Sequence, residues 1–115
     1  MTRRRVVVTG LGMVSPLGLN VSESWRNCLA GQSGVRPITH FDASAFSVRI
    51  SASVQNFDIH QYISPKESKK MDTFIHYGLA AGMEAVKEAG LGSVADGEGR
   101  IGVAIGSGIG GIAGI

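Results

Sequence analysis

Apolar and polar positions along this chain fall into two rhythms, and each predicts a kind of element. Residues 5–9 contain an uninterrupted Val6-Val7-Val8, the mark of a short strand covered on both faces in a layered sheet. Gly10 and Gly12 then turn the chain, and Pro16 and Gly18 keep it irregular. A helix is expected from near Ser22. Asn20 or Ser22 offers an oxygen to orphan backbone N–H groups, and Glu23 stands three residues after Asn20, as a capping box requires. Val21, Trp25, Cys28 and Leu29 recur at helical spacing, would face the core, and are followed by Gly31 as a stop.

Residues 31–37 read as a loop around Gly31, Gly34 and Pro37. Val48, Ile50, Ala52 and Val54 then alternate with Ser47, Arg49, Ser51 and Ser53, the pattern of a half-buried strand. Ser64-Pro65-Lys66-Glu67 places a capping serine before a proline at the first helical position, with a glutamate three residues after the cap. The spacing predicts one helix from there to about Ala89, capped by Gly90. Ile101 to Ile105 is a second short apolar strand, entering Gly106-Ser107-Gly108-Ile109-Gly110-Gly111. Strand, helix, strand, helix, strand is the order of an α/β architecture, and no internal repeat is evident.

At about 100° per residue, Met71, Phe74, Ile75, Gly78, Leu79, Gly82, Ala85, Val86 and Ala89 share one broad stripe of the long helix. Gly78 and Gly82 on that stripe would admit another backbone at close range. Lys66, Lys69 and Lys70 point the opposite way. Cations in the opening turns of a helix cost about 0.3–1 kcal/mol each at low salt. Two readings stand: a solvated face whose small cost is tolerated, or a docking patch for an acidic partner.

Composition narrows the picture. Among 115 residues, 43% are hydrophobic and 17% charged, which is globular and not disordered. A net charge of +2 is too small to indicate nucleic acid. The single cysteine, Cys28, excludes an intrachain disulfide framework and fits a reducing cytoplasm. No apolar run approaches the ~18 residues of a membrane span. Arg3, Arg4 and Arg5 before the valines imitate an export signal, but glycines interrupt the apolar stretch and no small-x-small cleavage site follows. Six of the 17 glycines fall between Gly102 and Gly114, an ending that reads as a cut within a longer architecture.

Chemistry-bearing residues are sparse. Gly106-x-Gly108-x-x-Gly111 after a predicted strand formally matches the dinucleotide fingerprint, which also needs a following helix and an acidic residue about 20 positions on. Neither glycine stretch carries the Gly-Lys-Ser/Thr ending of a P-loop. Cys28, on the apolar face of a short helix, reads as an inert core thiol. His40, His60 and His76 share no metal-ligand spacing and read as surface or satisfied histidines.

Five segments, in order, resemble the elongating beta-ketoacyl-acyl-carrier-protein synthases, condensing enzymes of fatty-acid synthesis with the thiolase fold. They are residues 4–18 (RRVVVTGLGMVSPLG), 30–34 (AGQSG), 40–42 (HFD), 69–74 (KKMDTF) and 101–111 (IGVAIGSGIGG). Within the family the match runs to the 3-oxoacyl synthase 2 branch, and ketosynthases of polyketide assembly share the opening motif. The resemblance implies a thiolase-like α/β/α/β/α layering, of which residues 1–115 form an N-terminal portion incomplete at its C-terminal end.

It further implies a decarboxylative Claisen condensation of acyl- with malonyl-carrier protein by a cytoplasmic homodimer. No cofactor is implied beyond the phosphopantetheine carried by the partner. The family's nucleophilic cysteine stands in a Thr-Ala-Cys context and its histidines in His-Gly-Thr and Gly-His contexts, none of which occurs here. No catalytic residue is therefore expected in this chain, which alone should be inactive. Carried over instead are Lys66, Lys69 and Lys70 as the carrier-protein docking patch, and Gly108 and Ile109 at the acyl pocket. The family often has arginine at the Lys69 position, so here the charge remains without bidentate pairing. A core role for Ile109, and a non-catalytic carrier-binding fragment for the chain, stay open as alternatives.

Overall fold

The computed structural model describes residues 2–91 and 99–114. These divide into two compact units, Met13–Asp58, and Met1–Gly12 with Ile59–Ile115.

In the Met13–Asp58 unit, helix α1 spans Val21–Leu29. Asn20 is its N-cap, with Oδ1 accepting the Glu23 N–H at 2.8 Å, so the expected cap forms. The expected inward face does not. Trp25 is 61% exposed, Leu29 69%, and Cys28 is exposed as well. The helix docks through its polar side, where Ser24 is 3% exposed. Its hydroxyl shares a 2.7 Å hydrogen bond with Ser15 Oγ and donates to the Gly18 carbonyl at 3.2 Å. Asn27 Nδ2 donates to the Leu17 carbonyl at 2.6 Å. The Ser15–Gly18 turn, closed by its own backbone bridge, therefore packs on the polar face of α1, opposite the stripe that periodicity had assigned to a core.

Strands β1 (Val35–Pro37) and β2 (Ile50–Ala52) pair antiparallel, Val35 opposite Ala52 and Pro37 opposite Ile50. The second lies inside the strand expected over 48–54, but β1 falls in what reads as a loop, its proline tolerated because a two-stranded ribbon is all edge. The alternation is also inverted: Ile50 is 57% exposed while Ser51 is partly covered. A lone ribbon has no second layer to bury its apolar face.

In the other unit, the helix expected from Pro65 to Ala89 is two helices. The first, α2 (Pro65–Ser68), starts with the full capping box: Ser64 Oγ accepts the Glu67 N–H and the Glu67 carboxylate accepts the Ser64 N–H. The chain then leaves helical geometry at Asp72 (φ −76°, ψ 163°) and restarts as α3 (Thr73–Ala89). Gly90 caps α3 in the left-handed region at φ 73°, as its position predicts. Short 3-10 turns occupy Ile59–Gln61 and Ile112–Gly114.

The valine run at residues 6–8 and the apolar run at 101–105 form no strand. Val6 is 93% exposed and Val103 82%. A strand of this composition needs ladder partners and cover on both faces, and among the described residues the only sheet is the β1–β2 ribbon. Residues 10–12 pass instead over one face of α3. A Cβ at Gly10 would strike the Ala85 carbonyl oxygen, and one at Gly12 the Ala81 carbonyl oxygen. The close approach expected at Gly78 and Gly82 is absent: nothing lies within 4 Å of a Cβ at Gly82. Those two glycines, with Leu79, Val86, Val103 and Ile105, line an open apolar groove of about 610 Å³.

Candidate functional site

Splitting the long helix changes the setting of the lysines. Lys66 belongs to α2, Lys69 is its C-cap (φ −66°, ψ −18°), and Lys70 lies in the turn beyond. All three are exposed. The dipole cost expected of cations inside the opening turns of a long helix does not apply to Lys69 and Lys70, which stand at the carbonyl end of α2. Nor do the three share one arc of one helix. They occupy a tight turn closed by the Lys70 N–H to the Glu67 carbonyl at 3.0 Å and the Met71 N–H to the Ser68 carbonyl at 3.3 Å.

Sequence reading missed what holds this turn in place. Ser68, 7% exposed, is flanked by two of the histidines read as surface or satisfied. Its Oγ donates to the Pro65 carbonyl at 2.9 Å and meets His60 Nε2 at 3.3 Å. Its carbonyl lies 3.0 Å from His76 Nε2. No periodic signal marks such a trio, because its members come from three different elements. His40 packs edge-on against Phe41 (centroids 4.9 Å apart), which does the same with Phe46.

Gly108 and Ile109 lie in the 106–111 loop, both exposed, with Ile109 at 76%. In this unit Ile109 is thus not a core residue. The loop is seated on the start of α3: a Cβ at Gly110 (φ 76°) would lie 3.6 Å from the Phe74 ring, and one at Gly111 would strike the Asp72 carboxylate. The Gly110 N–H donates to Ser107 Oγ at 3.0 Å. The basic turn and the glycine loop therefore adjoin the same helix start, Lys70 two residues before Asp72.

The dinucleotide fingerprint lacks its scaffold, since residues 101–105 form no strand and the loop meets a 3-10 turn instead of a helix. Among the described residues there is no group of three or more His, Cys, Asp or Glu able to hold a metal ion, and no helix long and apolar enough to cross a membrane.

The described residues show helices and one two-stranded sheet, and it is the likeness to known proteins that implies a thiolase-like fold of the ketosynthase class. A solved structure described as the ishigamide ketosynthase/chain length factor superposes with a TM-score of 0.70 at 38% identity, covering 77% of this chain and 22% of that one. The chain belongs to the beta-ketoacyl synthase family: residues 3–114 match the model of its N-terminal domain. It is 54% identical over 112 residues to 3-oxoacyl-acyl-carrier-protein synthase 2 of Vibrio cholerae, covering 97% of this chain and 27% of the relative. The protein of the same name in Coxiella burnetii is 48% identical over the same shares. The chain thus spans about a quarter of the length of these relatives.

Proposed function

We propose that this chain is the N-terminal portion, residues 1–115, of a thiolase-fold synthase with α/β/α/β/α layering that extends acyl chains on acyl carrier protein. The observation that carries the reading is the family match over residues 3–114, joined to 54% identity with a 3-oxoacyl-acyl-carrier-protein synthase 2. In the full-length enzyme a cysteine outside this chain attacks the acyl thioester, takes the acyl group and releases the carrier-protein thiol. Malonyl-carrier protein loses carbon dioxide, and the bonding pair is left as an enolate held by two histidines, also outside this chain. The enolate carbon then bonds to the acyl carbonyl while the bond to the cysteine sulfur breaks, giving 3-oxoacyl-carrier protein. The enzyme is a cytoplasmic homodimer with no cofactor of its own.

Within this segment, Lys66, Lys69 and Lys70 dock the acidic carrier protein, and their exposure on one tight turn supports that role. Gly108 and Ile109 line the acyl pocket's entrance, where an apolar side chain between glycines suits a mobile acyl chain. Two measurements test the reading. Full-length protein should release carbon dioxide from malonyl-carrier protein and form the 3-oxoacyl product; no release overturns it. Lys66→Glu with Lys69→Glu should weaken carrier-protein binding about tenfold at low salt, with the difference shrinking at high salt. Binding indifferent to both changes removes the docking role.

The ketosynthase/chain length factor likeness favours one alternative, a polyketide ketosynthase. Extension of 3-oxoacyl primers as readily as saturated ones would select it.

A further inference from the structure

The turn that carries the lysines cannot hold its own shape. A helix of four residues is far below the length that persists unaided, and its last carbonyls have no partner inside the helix. The Ser68 carbonyl finds two: the Met71 N–H at 3.3 Å and His76 Nε2 at 3.0 Å. A carbonyl only accepts, so His76 donates from Nε2. Ser68 Oγ spends its one hydrogen on the Pro65 carbonyl at 2.9 Å, so at 3.3 Å it accepts from His60 Nε2–H. Both rings thus carry their proton on Nε2, and both hydrogen bonds converge on one nearly buried serine. His76 lies in the first turns of α3, so its bond ties α3 to α2 across Lys69 and Lys70.

We propose that His76 is a positioning residue for carrier-protein docking, clamping the Ser68 carbonyl and so fixing the backbone from which Lys69 and Lys70 project, with His60 and the Ser68 hydroxyl completing the clamp. The inference rests on the docking role given above to the lysines. Long exposed side chains pay an ordering cost on binding. That cost grows if the backbone beneath them must also be ordered, and a pre-set turn removes the added part. His76 touches neither acyl chain nor reacting atoms, so its effect belongs in recognition of the protein substrate and not in the chemistry.

The test uses the full-length enzyme with two kinds of substrate: acyl and malonyl groups on carrier protein, and the same groups on pantetheine, which does not engage the lysines. His76→Ala should raise KM for carrier-protein substrates about fivefold, the scale of one lost hydrogen bond, with kcat held. KM for the pantetheine thioesters should not follow. His76→Gln, whose amide nitrogen reaches the place of Nε2, should restore the carrier-protein KM. A rise shared by the pantetheine thioesters, a rise that glutamine does not repair, or no rise overturns the clamp. If His76→Ala does not fold, His76→Asn, too short to reach the carbonyl, takes its place with the same readouts. The Lys66→Glu/Lys69→Glu enzyme separates the two ideas. If it raises the carrier-protein KM while the His76 variants do not, only the clamp falls; if it changes nothing, docking at this turn falls and the clamp with it.

Discussion

Replacing Gly12 by alanine tests the packing on which the second unit depends. An ideal Cβ there would strike the Ala81 carbonyl oxygen and stand 2.6 Å from its carbon, where real Cβ contacts essentially never come under 3.0 Å. The obstacle is helix backbone, which cannot swing aside as a side-chain tip can. The residue 10–12 segment must therefore lift from α3, surrendering the Leu11 N–H bond to Glu88 (2.9 Å). Overpacking of this kind costs about 1–3 kcal/mol. Gly10→Ala, facing the Ala85 carbonyl and the Ala89 nitrogen, should behave alike. Gly82→Ala in the 115-residue chain should do the opposite: nothing lies within 4 Å, and replacing a helix-interior glycine gains about 1 kcal/mol of propensity. Urea unfolding of the three variants, followed by far-ultraviolet circular dichroism, should give midpoints on opposite sides of the parent. A neutral Gly12→Ala would refute the contact between residues 10–12 and α3. A destabilising Gly82→Ala would mean that the groove beside it is filled.

Three further outcomes follow from single contacts. Ser24→Ala should cost about 1–2 kcal/mol in denaturant unfolding, because it strips Ser15 Oγ and the Gly18 carbonyl of a nearly buried partner. Gly90→Ala should cost about 1 kcal/mol and fray the end of α3, measurable as faster amide exchange there, since its φ of 73° is unfavourable for any residue with a Cβ. The Asp42 carboxyl should titrate below the ordinary carboxylate value, because the Ser44 backbone N–H, and then the Ser44 hydroxyl, bond its charged form. Its folded value being the lower one, any stability it lends is present above the unfolded aspartate's value and fades as pH falls through the folded one. A carboxyl carbon titration by nuclear magnetic resonance reads the midpoint, and a value at or above the ordinary one would refute the bond.

Three helix ends were legible in the sequence, because a cap is a local matter, while the break between α2 and α3 was not. Asn20 accepts the Glu23 N–H though the reciprocal half of a box is not seen there, Ser64 and Glu67 form the full box, and Gly90 ends α3, each needing only neighbours within three or four positions. Family membership was legible too, since it rides on short contiguous motifs. Other features were not local. Whether Val6 to Val8 or Ile101 to Ile105 becomes a strand depends on ladder partners, and in the described residues they have none. Trp25 and Leu29 carry the right period for burial, but period says which face is apolar and not whether anything covers it.

The amino-acid order by itself determined the caps at Asn20, Ser64 and Gly90, the kinship with ketoacyl synthases and the absence of the family's cysteine and histidine contexts, for each is written in nearby residues. Only the tertiary structure decided that the helix after Pro65 breaks before Asp72, that Gly10 and Gly12 rather than Gly78 and Gly82 meet another backbone, and that His60 and His76 converge on Ser68. The glycine and histidine contacts join residues from eight to nearly eighty positions apart. Contacts at such separations arise from how whole elements pack, which no window of neighbouring side chains encodes.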